Sequence, residues 1–220
     1  MNREATPYLA ELLGTFGFVF IGAGSVVLND VSNGTLGILG IALAHGTALL
    51  AFIYAFNHIS GAHFNPAVTV SLWVTKKIET SVAVGYIIAQ LAGAVLAGIF
   101  IEGLFGSTRA AVPQPVNLDS FGAFLLEAIL TFFLVLIVFG IIVDRRSHTS
   151  HAGLAIGLVF TALVIIGFGL TGAAFNPARA FGPALVSNFW SHHLIYWFGP
   201  LLGAVAAGLV YEYGFLRKKD

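Results

Sequence analysis

The chain has 220 residues, 58% of them hydrophobic and 9% charged, with a mean hydropathy of +0.92, whereas a soluble domain carries about 25% charged residues. Ten basic and ten acidic residues cancel to a formal net charge of zero, and no basic stripe with interleaved aromatics occurs, so nucleic acid is excluded as a partner. The absence of cysteine excludes disulfides, thiolate catalysis and thiol metal sites.

Apolar runs of the roughly 20 residues needed to cross a bilayer fall at 8–28, 36–56, 82–105, 121–143, 152–168 and 194–215. They occupy almost the whole length, so residues 1–220 read as a single integral membrane domain. The first run carries Glu11 and lacks a small-residue cleavage site, and is expected to be a span rather than a signal peptide. Arg3, Lys76, Lys77, Arg145, Arg146, Arg217, Lys218 and Lys219 fall on one side of a six-span path. The positive-inside rule then puts both termini in the cytoplasm, with the plasma (cytoplasmic) membrane as the expected location. Arg109 lies in the loop between the third and fourth runs, and Arg179 in a hydrophobic stretch. His148 and His151 share a cytoplasmic loop, where histidines are usually solvated surface, and no gating role is assigned to them.

The two halves correspond in order. Glu11 with Thr15-Phe16 matches Glu127 with Thr131-Phe132. Gly61-Ala62-His63-Phe64-Asn65-Pro66-Ala67 matches Gly172-Ala173-Ala174-Phe175-Asn176-Pro177-Ala178 at an offset of 111 (176 minus 65). Gln90 to Gly98 matches Pro200 to Gly208 at 110 (200 minus 90). The repeats cover 6–106 and 120–216. Three spans per unit is an odd number, so the second copy is inverted in the membrane, and equivalent broken elements meet near the midplane, where a transport site forms.

Each Asn-Pro-Ala follows a Gly-containing loop and opens an apolar stretch, 66–73 and 177–186, too short to span a bilayer. Asn is a favoured N-cap and Pro suits the first helical position, so each motif starts a half-helix. The Asn carbonyl can hold first-turn N–H groups, leaving its NH2 as a donor toward the pore. Two half-helices entering from opposite sides place about half a positive charge each at the centre, which repels cations. A water accepting from Asn65 and Asn176 turns its hydrogens away from a continuous proton wire. A single Asn-Pro-Ala is commonly no more than a cap; two copies at equivalent places of an inverted repeat are much more specific.

The segments Ser60-Gly61-Ala62-His63-Phe64-Asn65-Pro66-Ala67-Val68-Thr69 and Phe175-Asn176-Pro177-Ala178-Arg179 resemble the signature loops of the aquaporin, or major intrinsic protein, family. Ala180 to Leu185 and Ile195 to Pro200 look most like the plant tonoplast subgroup and prokaryotic relatives. The resemblance covers nearly the whole chain. It implies an all-α membrane protein, a right-handed bundle of six transmembrane helices and two re-entrant half-helices, assembled as a homotetramer with one pore per subunit. It further implies passive conduction of water, with ions and protons excluded.

Carried onto this sequence, the resemblance gives Arg179 a place at the outer constriction, as expected of an arginine in hydrocarbon that must line a polar cavity or have a partner. Register on the family pattern adds His45, Val164 and Ala173 to that filter. A lone His on an apolar helix is also often a paired core residue. The carbonyls of Gly61, Ala62, His63, Gly172 and Ala174 are implied to line the pore. Glu11 and Glu127 are either proton-relay groups or acceptors for re-entrant backbone N–H groups that no water reaches; their symmetry favours the second. Strict water channels of the family usually carry Phe and His where His45 and Val164 stand, so the filter implies a wider opening that admits ammonia, hydrogen peroxide or urea. A glycerol or small-polyol facilitator is the alternative, although Ala180 stands where such relatives have Asp.

An ion-coupled secondary transporter shares inverted repeats and broken helices but needs acids at its central site, where this chain has Asn65 and Asn176. No nucleophile, base and orienting group recur at usable spacing, and no metal cluster or phosphate loop is evident. The chain is therefore expected to be no enzyme and to need no cofactor or metal; its partners are water, small neutral solutes and lipid.

Overall fold

The computed structural model describes residues 5–147 and 149–216. Arg3, His148, Arg217, Lys218 and Lys219 lie outside the described residues. The α-helices are α1 (Thr6–Val31), α2 (Gly37–Ser60), α3 (Pro66–Val74), α4 (Thr80–Phe105), α5 (Ser120–Val138), α6 (Ala152–Thr171), α7 (Pro177–Ser187) and α8 (Ile195–Tyr211). Counted with their terminal turns, six of them are 22–26 residues long and apolar enough to cross a membrane.

These helices outrun the apolar stretches that mark them in the sequence. The i to i−4 ladder continues through polar residues such as Asn29 and Asp30 in α1 or Asn57 and His58 in α2. It stops where the chain can turn left-handed: Gly61, Gly106 and Gly172 cap α2, α4 and α6 with φ of 85°, 79° and 79°. Two terminal turns, Phe139–Val143 after α5 and Glu212–Leu216 after α8, widen to π geometry.

The short helices α3 and α7 have 9 and 11 residues, roughly half of what a 30 Å hydrocarbon core requires at about 1.5 Å per residue. Both begin at a proline behind an asparagine cap. The packing is the same when the halves are exchanged: α1 lies against α4 and α2 as α5 lies against α8 and α6, α4 against α7 as α3 against α8, and α2 meets α6 at the centre. Outward-facing Leu39, Ile88, Phe121 and Leu194 are each more than 60% exposed, a surface suited to lipid rather than water.

Without a hydrophobic drive between helices in lipid, close approach depends on small residues. A Cβ on Gly93 would stand 2.3 Å from the Leu12 carbonyl oxygen of α1, and one on Gly203 would stand 1.9 Å from that of Ala128 in α5. At one end of the bundle, Asp144 accepts from Tyr211 Oη (3.0 Å) and Arg146 Nε (2.8 Å), and Arg146 donates to the Phe215 carbonyl (3.1 Å). Lys77, just beyond α3, pairs with Glu212 at 2.6 Å. The Arg146 guanidinium holds the Asp144 carboxyl well below the usual carboxylate range. A depressed carboxyl contributes its stability above the ordinary pKa and loses it only as pH falls toward the folded value, so this tie is constant between about pH 5 and 8.

Gly203→Ala forces its methyl group into backbone and is expected to destabilise the protein by about 1–3 kcal/mol. Gly103→Ala, with nothing within 4 Å of the added carbon, should be neutral or slightly stabilising. Thermal unfolding of detergent-solubilised protein compares the two, and equal midpoints would contradict the packing described.

Candidate functional site

The loops before α3 and α7 turn back inside the bundle, and their backbone is unusual. Ala62, Phe64, Ala173 and Phe175 all have positive φ, between 48° and 51°, although none is glycine. Non-glycine residues are held in this region only when their surroundings over-determine it. The surroundings here are two buried carboxylates. Glu11 Oε1 accepts from Ser60 Oγ (2.6 Å) and His63 N (2.9 Å), and its Oε2 accepts from Phe64 N (2.7 Å) and Gln90 Nε2 (2.8 Å). Glu127 repeats the pattern, accepting from Thr171 Oγ1 (2.6 Å) and Ala174 N (3.1 Å) on one oxygen and from Phe175 N (2.8 Å) on the other. Tyr86 and Tyr196 hydroxyls donate to the carbonyls of Ser60 and Thr171, at 2.9 and 2.8 Å. Both glutamates are fully buried, where acceptors for loop N–H groups must come from the protein.

Held in this way, α3 and α7 present their N-termini to one another. Asn65 Oδ1 accepts from Ala67 N at 2.8 Å, and Asn176 Oδ1 accepts from Ala178 N at 2.9 Å and Arg179 N at 3.3 Å. Each side-chain amide then donates across the interface between the halves: Asn65 Nδ2 to the Phe175 carbonyl and Asn176 Nδ2 to the Phe64 carbonyl, both at 2.8 Å. These bonds add to the expectation that each NH2 is left as a donor. One hydrogen of each amide ties the loops together, and one is left to donate. Pro66 and Pro177 occupy the first helical positions, with Ala67 and Ala178 buried behind them.

Two cavities approach this junction from opposite ends. An inner one of about 30 Å³ is lined by Gly61, Ala62, His63, Phe64, Asn65, Asn176 and apolar side chains that include Phe18, Leu72, Ile142 and Phe160. One water needs about 10–15 Å³ of such space, so it admits only a short file. An outer vestibule of about 600 Å³ reaches Asp30, Arg109, Gln114, Gly172 and Arg179. His45, Val164 and Ala173 line neither cavity and are almost fully buried. Ala174 also lines neither and uses its N–H on Glu127.

His45 Nδ1 lies 2.9 Å from the Ile41 carbonyl, which can only accept, so Nδ1 carries hydrogen and Nε2 of the neutral ring is an acceptor. Among the described residues neither His45 Nε2 nor Arg179 Nε finds a partner. Arg179 Nη1 donates to the Ala111 carbonyl at 2.7 Å. The turn Arg109–Ala111 that supplies this oxygen follows Thr108, whose N–H donates to Glu102 (2.6 Å), and the Arg109 guanidinium lies 4.3 Å from the Phe189 ring centroid. The His63 ring meets Thr69 Oγ1 at 3.0 Å and the edge of Tyr86. Sequence reasoning missed Ala111, the bonded carbonyls of Phe64 and Phe175 and the apolar wall of the inner cavity. A backbone oxygen has no residue signature, and the wall residues resemble any other buried side chains.

Six bilayer-length helices around two half-helices define a channel-type integral membrane fold. The description "Major intrinsic protein" matches residues 3–211. The chain is 40% identical to "Aquaporin AqpM" of Methanothermobacter thermautotrophicus, covering 93% of this chain and 95% of that one. It is 41% identical to "Probable aquaporin TIP3-2" of Arabidopsis thaliana, covering 93% and 82%. The solved aquaglyceroporin from Plasmodium falciparum superposes with a TM-score of 0.84 at 28% identity, covering 94% and 95%. The chain belongs to the major intrinsic protein family and is a membrane channel of aquaporin type.

Glu127→Gln replaces one acceptor oxygen by an NH2 that opposes the loop donors. Leaving a buried N–H unpaired costs about 1–3 kcal/mol, and thermal unfolding in detergent should report a loss of that order. An unchanged midpoint would show that other contacts hold the loop.

Proposed function

We propose that the chain passively conducts water, with ammonia, hydrogen peroxide or urea as further solutes, and excludes ions and protons. The observation that carries this reading is the junction of α3 and α7. Two helix N-termini, each worth about half a positive charge, face one another beside two asparagine donors that line a cavity only about 30 Å³ in volume. A cation arriving there meets positive potential and, among the described residues that line the cavity, no carboxylate. A water meets N–H groups that orient its oxygen. Arg179 adds a second positive group where the outer vestibule narrows, and the unpaired atoms of Arg179 and His45 give a solute one donor and one acceptor. In this reading His45, Val164, Ala173 and Arg179 form the filter, the Gly61, Ala62, His63, Gly172 and Ala174 carbonyls flank the path, and Glu11 and Glu127 support the loops.

Residues 6–106 and 120–216 then act as inverted halves of one pore, both termini face the cytoplasm, and the protein assembles as a homotetramer and is no enzyme. Glycerol is the second reading, favoured by the structural match to an aquaglyceroporin.

Light scattering of proteoliposomes tests these readings by comparing osmotic water flux with urea, ammonia and glycerol uptake, with and without a proton gradient. Water flux well above that of empty vesicles is expected; flux equal to theirs would sink the proposal, and glycerol uptake outpacing urea would favour the second reading. His45→Phe is expected to lower urea and ammonia uptake relative to water. Unchanged ratios would remove His45 from the filter.

A further inference from the structure

On the face of α1 that runs from one cavity to the other, one position carries no side chain. Phe18 lines the inner cavity and Val26 the outer vestibule, and Gly22 lies midway between them at helical spacing, on the same face of α1. A Cβ at Gly22 would stand 2.5 Å from His45 Cδ2, 2.7 Å from Nε2 and 2.9 Å from Cγ, and its three nearest atoms all belong to that ring. These distances are nearly equal, so the added carbon stands over the face of the imidazole rather than beyond its edge. His45 therefore lies flat against bare backbone of α1.

Its other neighbours are fixed. The ring is nearly parallel to Phe160 (14°, centroids 6.2 Å apart) and edge-on to Phe18 (74°, 6.0 Å), and those two rings pack edge to face at 5.4 Å. Phe18, Phe160 and Val164 are almost fully buried, and close-packed aromatic groups yield little to an intruding carbon. Nδ1 is tied to the Ile41 carbonyl. With these sides occupied, a ring displaced from α1 is left the side on which the function proposed above puts the solute path.

We propose that Gly22 is a positioning residue that sets the width of the constriction: its missing side chain lets the His45 ring lie back against α1, and any side chain at 22 drives that ring into the solute path. A carbon there also covers Nε2, removing the acceptor at the narrowest point. Gly22 thus acts on solute size through His45, without polar chemistry of its own. The inference rests on His45 facing the solute path, as in the function proposed above.

The test compares urea and water permeability in proteoliposomes for the parent protein, Gly22→Ala, His45→Ala and the double variant. Gly24→Ala serves as a folding control, since its added carbon meets only ordinary contacts with Ile101 at 3.9 and 4.0 Å. Parent water flux above that of empty vesicles establishes the channel independently of Gly22. The expected result is a urea-to-water ratio lowered on the order of tenfold in Gly22→Ala, the discrimination that a single carbon commonly produces at a close-fitting site. In the His45→Ala background the same Gly22→Ala change should leave the ratio where His45→Ala alone puts it. An unchanged or raised ratio in the single variant, or a further drop in the double variant, overturns the proposal. If Gly22→Ala alone does not fold, a folded double variant with the ratio of His45→Ala supports the steric conflict. A double variant that also fails to fold overturns it, because the carbon must then strike something other than the ring.

Discussion

A helix that stops halfway across a bilayer exposes backbone N–H groups where no water can reach them, and this constraint governs the molecule. Glu11 and Glu127 meet it, each using both oxygens to accept loop and side-chain donors within 2.6–3.1 Å. Directly at Phe64 and Phe175, and through the Ser60 and Thr171 hydroxyls at Ala62 and Ala173, these bonds accompany four left-handed non-glycine residues, a conformation that costs on the order of 1–3 kcal/mol at each. The strain and the carboxylates belong together: the loops turn sharply enough to place Asn65 and Asn176 at helix N-termini because buried acceptors hold the turn.

The two loops also hold each other. Since Asn65 donates to the Phe175 carbonyl and Asn176 to the Phe64 carbonyl, neither half of the junction is complete without the other. A change in one loop is therefore felt in both. The cross-bonds leave each asparagine one hydrogen, so two loops contribute two donors at a single depth.

The halves also differ in ways that the proposed function uses. At equivalent positions stand His63 and Ala174, Val68 and Arg179, and Gln90 and Pro200. The small cavity of about 30 Å³, lined by the first repeat's loop Gly61 to Asn65 and apolar side chains of both repeats, differs from the vestibule of about 600 Å³, whose lining includes the segment joining the repeats and Arg179 of the second. The symmetric part builds the frame and the positive potential. The asymmetric part is where the proposed solute selection lies, and Gly22 with His45 belongs to it, since the flat seat of the imidazole on α1 involves residues of one half.

Much of the fold was legible from the residues because its causes are local or periodic. Bilayer-length apolar runs identified six helices, Asn65-Pro66 and Asn176-Pro177 marked two more starts through capping chemistry, and the offset near 111 made the two starts equivalent. Helix ends were less legible, since the hydrogen-bond ladder runs on through polar residues until a left-handed residue such as Gly61 or Gly172 stops it. Positive φ at Ala62, Phe64, Ala173 and Phe175 had no signature, because Ala and Phe do not favour that region; here the Phe64 and Phe175 N–H groups are held by Glu11 and Glu127, and those of Ala62 and Ala173 by the Ser60 and Thr171 hydroxyls. The division of each asparagine amide between the opposite loop and the solute path was equally hidden, as were the Ala111 oxygen that holds Arg179 and the seat of His45 on Gly22. By itself the sequence determined that six spans and two half-helices form and which side chains carry polar chemistry, because hydrophobic length and helix capping act over a few residues. Only the tertiary structure decided which hydrogens remain free and how wide the passage is, because those depend on atoms separated by tens to more than a hundred residues along the chain.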